Sequence, residues 1–285
     1  MTQARWHRYV ALGDSITEGF CDPIAGNGEP WLGWADRLAF ILDGNARLAG
    51  EQVEFANLGV RGRRVRDVVD DQVPAALALK PDLVSVMVGG NDLMSPTADP
   101  DDLAARIENG IAALRGAGID VLLANCFDPR FAFFLKPLRG RAAVFNANLW
   151  SIARTHETFI LDVWGMREFQ GPDMWAEDRV HLTPAGHRLL SSRAAHVLGI
   201  PYFEVGRRTA PVPVPHGPGD EYGAADAAAA AERRPATSGT LSTLAWLHRH
   251  AMPWLGRRLR RVSAGDGIGP KRPVPAPVMT VSSRG

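Results

Sequence analysis

Five short apolar runs, each followed by a helical pattern, constrain this chain more than any other feature. The runs are RYVALGD (8–14), QVEFANLG (52–59), DLVSVMVGG (82–90), IDVLLANCFD (119–128) and TFILDVW (158–164). Several are almost wholly apolar, as strands buried on both faces must be. Between them, Leu38, Ile41 and Leu42 recur at helical spacing within 31–42, and Val65, Val68, Val69 and Val73 within 65–79. The segment 99–118 opens on acidic residues, carries Leu103, Ile107, Ile111 and Leu114 on one stripe and closes on Gly116 and Gly118. A last helix fits 183–200, with Thr183 at the N-cap and Pro184 at the first helical position. Strands alternating with helices predict a parallel sheet covered by helices on both faces. Such sheets bind ligands outside the carboxyl ends of their strands. Four strand ends therefore carry the functional question: Gly13-Asp14-Ser15, Asn57-Leu58-Gly59, Gly89-Gly90-Asn91-Asp92 and Phe127-Asp128-Pro129.

The alternation stops near residue 200, and so does the charge balance. The 285 residues carry a formal charge of only +1, which gives no global preference for nucleic acid. Residues 1–200 hold 20 basic and 25 acidic side chains, however, and residues 201–285 hold 12 and 6. The expected organisation is a domain over 1–200, a Pro/Gly/Ala-rich linker over 201–239, a basic amphipathic helix over 240–262 and a disordered tail over 263–285. The basic helix suits peripheral attachment to anionic lipid or docking on the acidic domain of its own chain. Two cysteines, Cys21 and Cys126, make no disulfide framework. No apolar stretch of signal-peptide type precedes the first strand, so the expected location is cytoplasmic.

A serine at the first strand end is an ordinary turn residue unless it has partners. A serine hydroxyl is a weak nucleophile until an adjacent base takes its proton, and the base needs a third group to fix its tautomer. Asp178 and His181, three apart just before the last helix, have the right chemistry. Ester cleavage also needs donors aimed at the developing oxyanion. Gly59 presents an N–H that no side chain shields, and Asn91 offers two amide N–H groups. Asp14 and Asp92 read as carboxylates that fix their own turns. Each of these, taken singly, has a plain structural explanation.

Their order does not. GDS at 13–15, NLGVRG at 57–62, GGND at 89–92 and DRVH at 178–181 occur in the sequence of blocks that marks the SGNH hydrolases, the GDSL-type esterases and lipases, which this chain resembles over about residues 8–200. The resemblance implies a flavodoxin-like three-layer α/β/α sandwich on a five-stranded parallel sheet. It implies serine-dependent hydrolysis of a small-molecule ester through an acyl-enzyme, with no metal and no cofactor. Ser15 would be the nucleophile, His181 the base and then the acid, and Asp178 the group that orients His181. The Ser15 and Gly59 N–H groups and the Asn91 amide would form the oxyanion hole. Ile16 stands where the signature has leucine, a change of shape more than of volume. Phe131, Phe133, Phe134 and Leu135 follow the fourth strand and are the candidates for a substrate pocket. An acyltransferase would use the same acyl-enzyme, and a binding module recruited through the basic helix would keep the fold without the turnover.

Overall fold

The computed structural model describes residues 4–23, 31–200 and 265–278. The first strand, β1 (Arg8–Gly13), runs straight into a single helical turn, α1 (Ser15–Glu18). Then follow α2 (Gly33–Leu48), β2 (Glu54–Asn57), α3 (Val65–Asp67), a π-helical turn over Val68–Gln72 and α4 (Val73–Leu79). The chain continues through β3 (Leu83–Met87), α5 (Gly90–Leu93), α6 (Pro100–Gly116), β4 (Asp120–Ala124), α7 (Arg139–Thr155), β5 (Phe159–Leu161) and α8 (Pro184–Val197). The sheet order is β5-β4-β3-β1-β2-β6, and the first five strands are mutually parallel.

Side chains alternate across the strands and feed two separate cores. Tyr9 and Ala11 of β1 join Phe55, Leu83 and Leu122 beneath α2 and α8, which contribute Trp34, Leu38, Leu190 and Ala194. Val10 and Leu12 point the other way, with Val84, Val86 and Leu123, against Ile107, Ile111 and Leu114 of α6 and Phe145 and Leu149 of α7. The result is the three-layer arrangement expected. Each large side chain buried this way stabilises the fold by about 1.5–3 kcal/mol. Caps set the helix starts: the Asp99 side chain accepts the Asp101 N–H at 2.8 Å, and Thr183 accepts the Gly186 N–H at 3.2 Å.

Two features depart from the sequence reading. The helix α7 fills a stretch in which no helical stripe stands out in the sequence, because its inner face (Ala142, Phe145, Asn146, Leu149, Ile152) is interrupted by an asparagine and built partly of alanine. The sheet has six strands, not five. Residues 265–278 lie within the segment expected to be a disordered tail, yet β6 (Arg272–Pro277) pairs antiparallel with β2, Phe55 opposite Ala276 and Asn57 opposite Arg272. Its sequence, RPVPAP, hides a strand well, since proline cannot donate to a sheet ladder. An edge position tolerates it, because one side of the strand needs no donors. Lys271, at the start of this strand, buries its ammonium against Asp36 at 2.7 Å and the Trp31 carbonyl at 2.8 Å. The expected linker at 201–239 and helix at 240–262 lie outside the described residues. No helix among the described residues is long and apolar enough to cross a membrane.

Candidate active site

The end of β1 is held from several directions. Gly13 adopts φ +154°, and a Cβ there would lie 2.3 Å from the Met87 carbonyl oxygen, so only glycine fits. The Gln72 amide brackets its backbone: the Gly13 N–H donates to Gln72 Oε1 at 2.8 Å, and Gln72 Nε2 donates to the Gly13 carbonyl at 2.9 Å. Asp14 then caps α1, its carboxylate accepting the Ile16 N–H at 3.1 Å. Ser15 follows as the first residue of that turn, where a backbone N–H has no partner within the helix.

His181 reaches Ser15 from 166 residues away in the chain. An antiparallel bridge between Trp175 and Leu182 closes a tight loop, with the Ala176 N–H on the His181 carbonyl at 2.8 Å. Inside that loop Asp178 Oδ1 accepts the backbone N–H groups of Val180 at 2.9 Å and His181 at 3.0 Å. Its other oxygen lies 2.6 Å from His181 Nδ1, and His181 Nε2 lies 2.9 Å from Ser15 Oγ. Burial alone would raise the Asp178 pKa, but the hydrogen bond and charge of His181 and the two backbone donors outweigh it and bring it down to about 2. A carboxylate ionised in this way keeps the proton of a neutral imidazole on Nδ1 and leaves Nε2 as an acceptor for the serine hydroxyl. The Phe20 ring packs edge-on against His181 at 4.7 Å between centroids.

The two expected oxyanion donors lie on either side of this point. Asn91, on α5, directs its Nδ2 to Asp14 Oδ2 at 3.2 Å and to the Arg63 carbonyl at 3.0 Å. Gly59 packs against α1 so closely that a Cβ would sit 2.9 Å from the Glu18 nitrogen and from Thr17. Its N–H donates to Asn57 Oδ1 at 2.9 Å, within an Asx turn. Both donors are therefore engaged within the protein. Asp92 accepts the Val65 N–H at 3.0 Å, which ties α5 to α3. Burial raises the carboxyl groups of both Asp14 and Asp92 to about 6.

A cavity of about 140 Å³ adjoins Ser15 on the β3 and β4 side. Two of the four pocket candidates, Phe131 and Leu135, are part of its wall. Phe133 and Phe134 are not: they meet each other edge-on at 5.6 Å, and Phe133 is 52% exposed. Trp175 also faces the cavity, with Phe131 stacked on it at 3.8 Å between ring centroids. The loop that carries Phe131 is anchored by Asp128, which is buried and held by Arg139 at 2.9 and 3.1 Å.

The model of the GDSL-like Lipase/Acylhydrolase family matches residues 11–189. The chain belongs to that family. It is an ester-hydrolysing enzyme. Among curated proteins no sequence matches it. Among solved structures, an acetylxylan esterase from Geobacillus stearothermophilus superposes with a TM-score of 0.58 at 21% identity, over 70% of this chain and 97% of the other. An alpha/beta hydrolase enzyme from the metagenome of Lake Arreo, Spain, gives 0.59 at 24% identity, over 70% and 97%. At these identities the likeness shows a shared fold.

Several residues that build this hydrolase's site carry no motif. Gln72 lies in the valine-rich helical stretch, and a lone amide beside an apolar stripe was its only signal. Asn146 does just past the end of β4 what Gln72 does on β1: its amide accepts the Cys126 N–H at 2.9 Å and donates to the Cys126 carbonyl at 2.8 Å. Among the described residues one set of side chains has metal-ligand chemistry, Cys21, Asp178 and His181, with one ligand atom from each within 4.8 Å of the others. Cys21 is held at φ +73°. A cation there would compete with the Asp178–His181 and His181–Ser15 hydrogen bonds.

Proposed function

We propose that this enzyme cleaves carboxylic esters with Ser15 as nucleophile, His181 as base and acid, and Asp178 as the orienting carboxylate. The unbroken run of hydrogen bonds from Asp178 through His181 to Ser15, at 2.6 and 2.9 Å, carries the reading. As Ser15 Oγ attacks the acyl carbon, its proton passes to His181 Nε2 and the carbonyl π electrons move onto oxygen. The tetrahedral intermediate collapses when the bond to the alkoxide breaks and His181 returns the proton to the departing oxygen. The ester is now on Ser15. Water attacks it, gives its proton to His181, and the second collapse releases the carboxylic acid and restores the serine hydroxyl.

The oxyanion would be met by the Ser15 N–H, the Gly59 N–H and the Asn91 amide. Substrate must then draw Gly59 from Asn57 and one Asn91 hydrogen from the Arg63 carbonyl. A full negative charge makes a hydrogen bond about twice as strong as a neutral acceptor does, which favours the exchange. Catalytic hydrogen bonds commonly reach their working geometry only with substrate present.

The test is hydrolysis of p-nitrophenyl acetate and butyrate by the wild type and by Ser15→Ala, each with and without EDTA. The expected result is a loss of roughly 10³-fold or more in the variant, and no effect of EDTA on the wild type. An excess of alcohol or sugar acceptor is expected to leave free acid as the main product; ester product in its place would make the enzyme a transferase. Equal rates in wild type and Ser15→Ala would refute the assignment.

A further inference from the structure

We infer that the cavity beside Ser15 is an acyl pocket for an unbranched chain of about six carbons, so that the preferred substrates are esters of medium-chain acids. The inference rests on the esterase reading of Ser15. Its first support is position. The cavity wall includes Ser15 and Asn91, the groups proposed to meet the acyl carbonyl, and does not include His181. The leaving alcohol must lie beside His181, which protonates it. The cavity therefore opens on the acyl side of the scissile bond.

Chemistry is the second support. Met87, Leu93, Phe127, Phe131, Leu138 and Trp175 supply apolar wall. Apart from Ser15, the polar side chains on the wall are already partnered within the protein. Asp14 and Asn91 bond each other at 3.2 Å. Asn125 donates to Asp162 at 2.6 Å and accepts the Trp164 N–H at 3.2 Å. Burial raises the Cys126 pKa, so the thiol stays neutral. A sugar placed here would lose its hydrogen bonds to water and find few in return, a penalty that excludes hydroxylated groups far more sharply than a pocket excludes a methylene.

Size sets the chain length. An enclosed apolar protein cavity of about 150 Å³ holds benzene, a six-carbon guest; this one measures about 140 Å³ and is open to solvent on one side, so carbons beyond about the sixth meet water rather than wall. Each methylene moved from water into such a site is worth about fourfold in kcat/KM.

The decisive experiment measures kcat/KM for p-nitrophenyl esters from acetate to decanoate with the full chain, beside alkyl acetates of rising alcohol length. The expected result is a gain of about fourfold per methylene up to about hexanoate, then a plateau or fall, with no such gain along the alcohol series. Ala142→Phe, on the cavity wall, is expected to lower the hexanoate-to-acetate ratio at least tenfold. Leu138→Trp does the same if the first variant does not fold. Acetate preference with turnover that still needs Ser15 would overturn the pocket and leave the esterase standing. So would a gain that follows the alcohol chain, or an unchanged ratio in folded variants. Turnover that survives Ser15→Ala would remove Ser15 as the nucleophile, and this inference with it.

Discussion

The two sides of Ser15 are built from opposite materials. Toward β2 the wall is polar and filled. Glu18 is buried and holds the Arg61 backbone N–H at 2.7 Å and its guanidinium Nε at 3.0 Å, and Arg61 in turn covers the Phe20 ring at 4.4 Å. Asn57 ties β2 to α1 through the Thr17 carbonyl at 2.8 Å, and Lys271 neutralises Asp36 behind them. Toward β4 the wall is apolar and leaves a cavity. Buried polar groups demand partners at fixed distances, so they hold a backbone in one place. Apolar walls demand nothing directional, so they admit a guest. The contrast assigns precision to one side of the serine and space to the other.

The largest effect that sharpens this contrast is expected from Asp178→Asn. An amide there favours the wrong imidazole tautomer, and kcat should fall about 10⁴-fold while the acyl-chain preference stays as it is. A loss below tenfold would mean that His181 is oriented by something other than Asp178. Next comes the polar side itself. Lys271→Met strips the cation from a carboxylate that is 4% exposed, and should cost about 3–5 kcal/mol in urea unfolding. The double variant Lys271→Met with Asp36→Leu should recover most of that, because a buried pair replaced whole is often nearly neutral. If the single variant costs less than about 1 kcal/mol, β6 does not bear on the stability of this side. Smaller again is Gln72→Leu, which leaves the Gly13 N–H without its partner and the Gly13 carbonyl with only the Val60 N–H at 3.3 Å, at a cost of about 1–3 kcal/mol. The same denaturation series measures it, and a cost near zero would mean that the bracket on Gly13 is dispensable.

The parts of the molecule that repeat or form motifs were legible in the sequence. Val10, Val84 and Leu123 announce buried strands by composition, and Leu103 to Leu114 announce α6 by period. Ser15, Asp178 and His181 were legible only because blocks far apart in the chain occur in one familiar order; no local rule relates positions 15 and 181. What stayed hidden was set by partners distant in sequence. Nothing near Lys271 says that Asp36 lies opposite it, and three prolines argue against a strand until an edge is there to receive one. Phe131 and Phe133 look equivalent in the sequence, yet one stacks on Trp175 and the other points to solvent. That difference depends on where Asp128 pins the loop, which only the fold decides.

The last expected effect is the finest, and it comes from buried titratable groups around Ser15 and beneath α2. The folded chain keeps protons on Asp14 and Asp92 up to about pH 6, because burial raises both, whereas the unfolded chain gives them up near 3.8. Stability from these two is present below about pH 4 and lost as pH rises through 6. His187, beneath α2, works in the other direction. Burial lowers its pKa from 6.5 to about 3, so the unfolded chain takes a proton that the folded chain refuses. Its stability is present above 6.5 and lost as pH falls toward 3. Each group contributes a slope of at most about 1.4 kcal/mol per pH unit. Between pH 4 and 6 two falling slopes oppose one rising slope, so these groups together favour the folded state less as pH increases. Asp14→Asn or Asp92→Asn should each flatten that trend, and the double variant should turn it positive relative to the wild type, with His187 left to dominate. Urea midpoints at pH 4, 5 and 6 measure it. Parallel trends in all four proteins would mean that both carboxyls are already ionised in the folded state at pH 4, and that the surroundings of Ser15 carry two more negative charges than their burial favours.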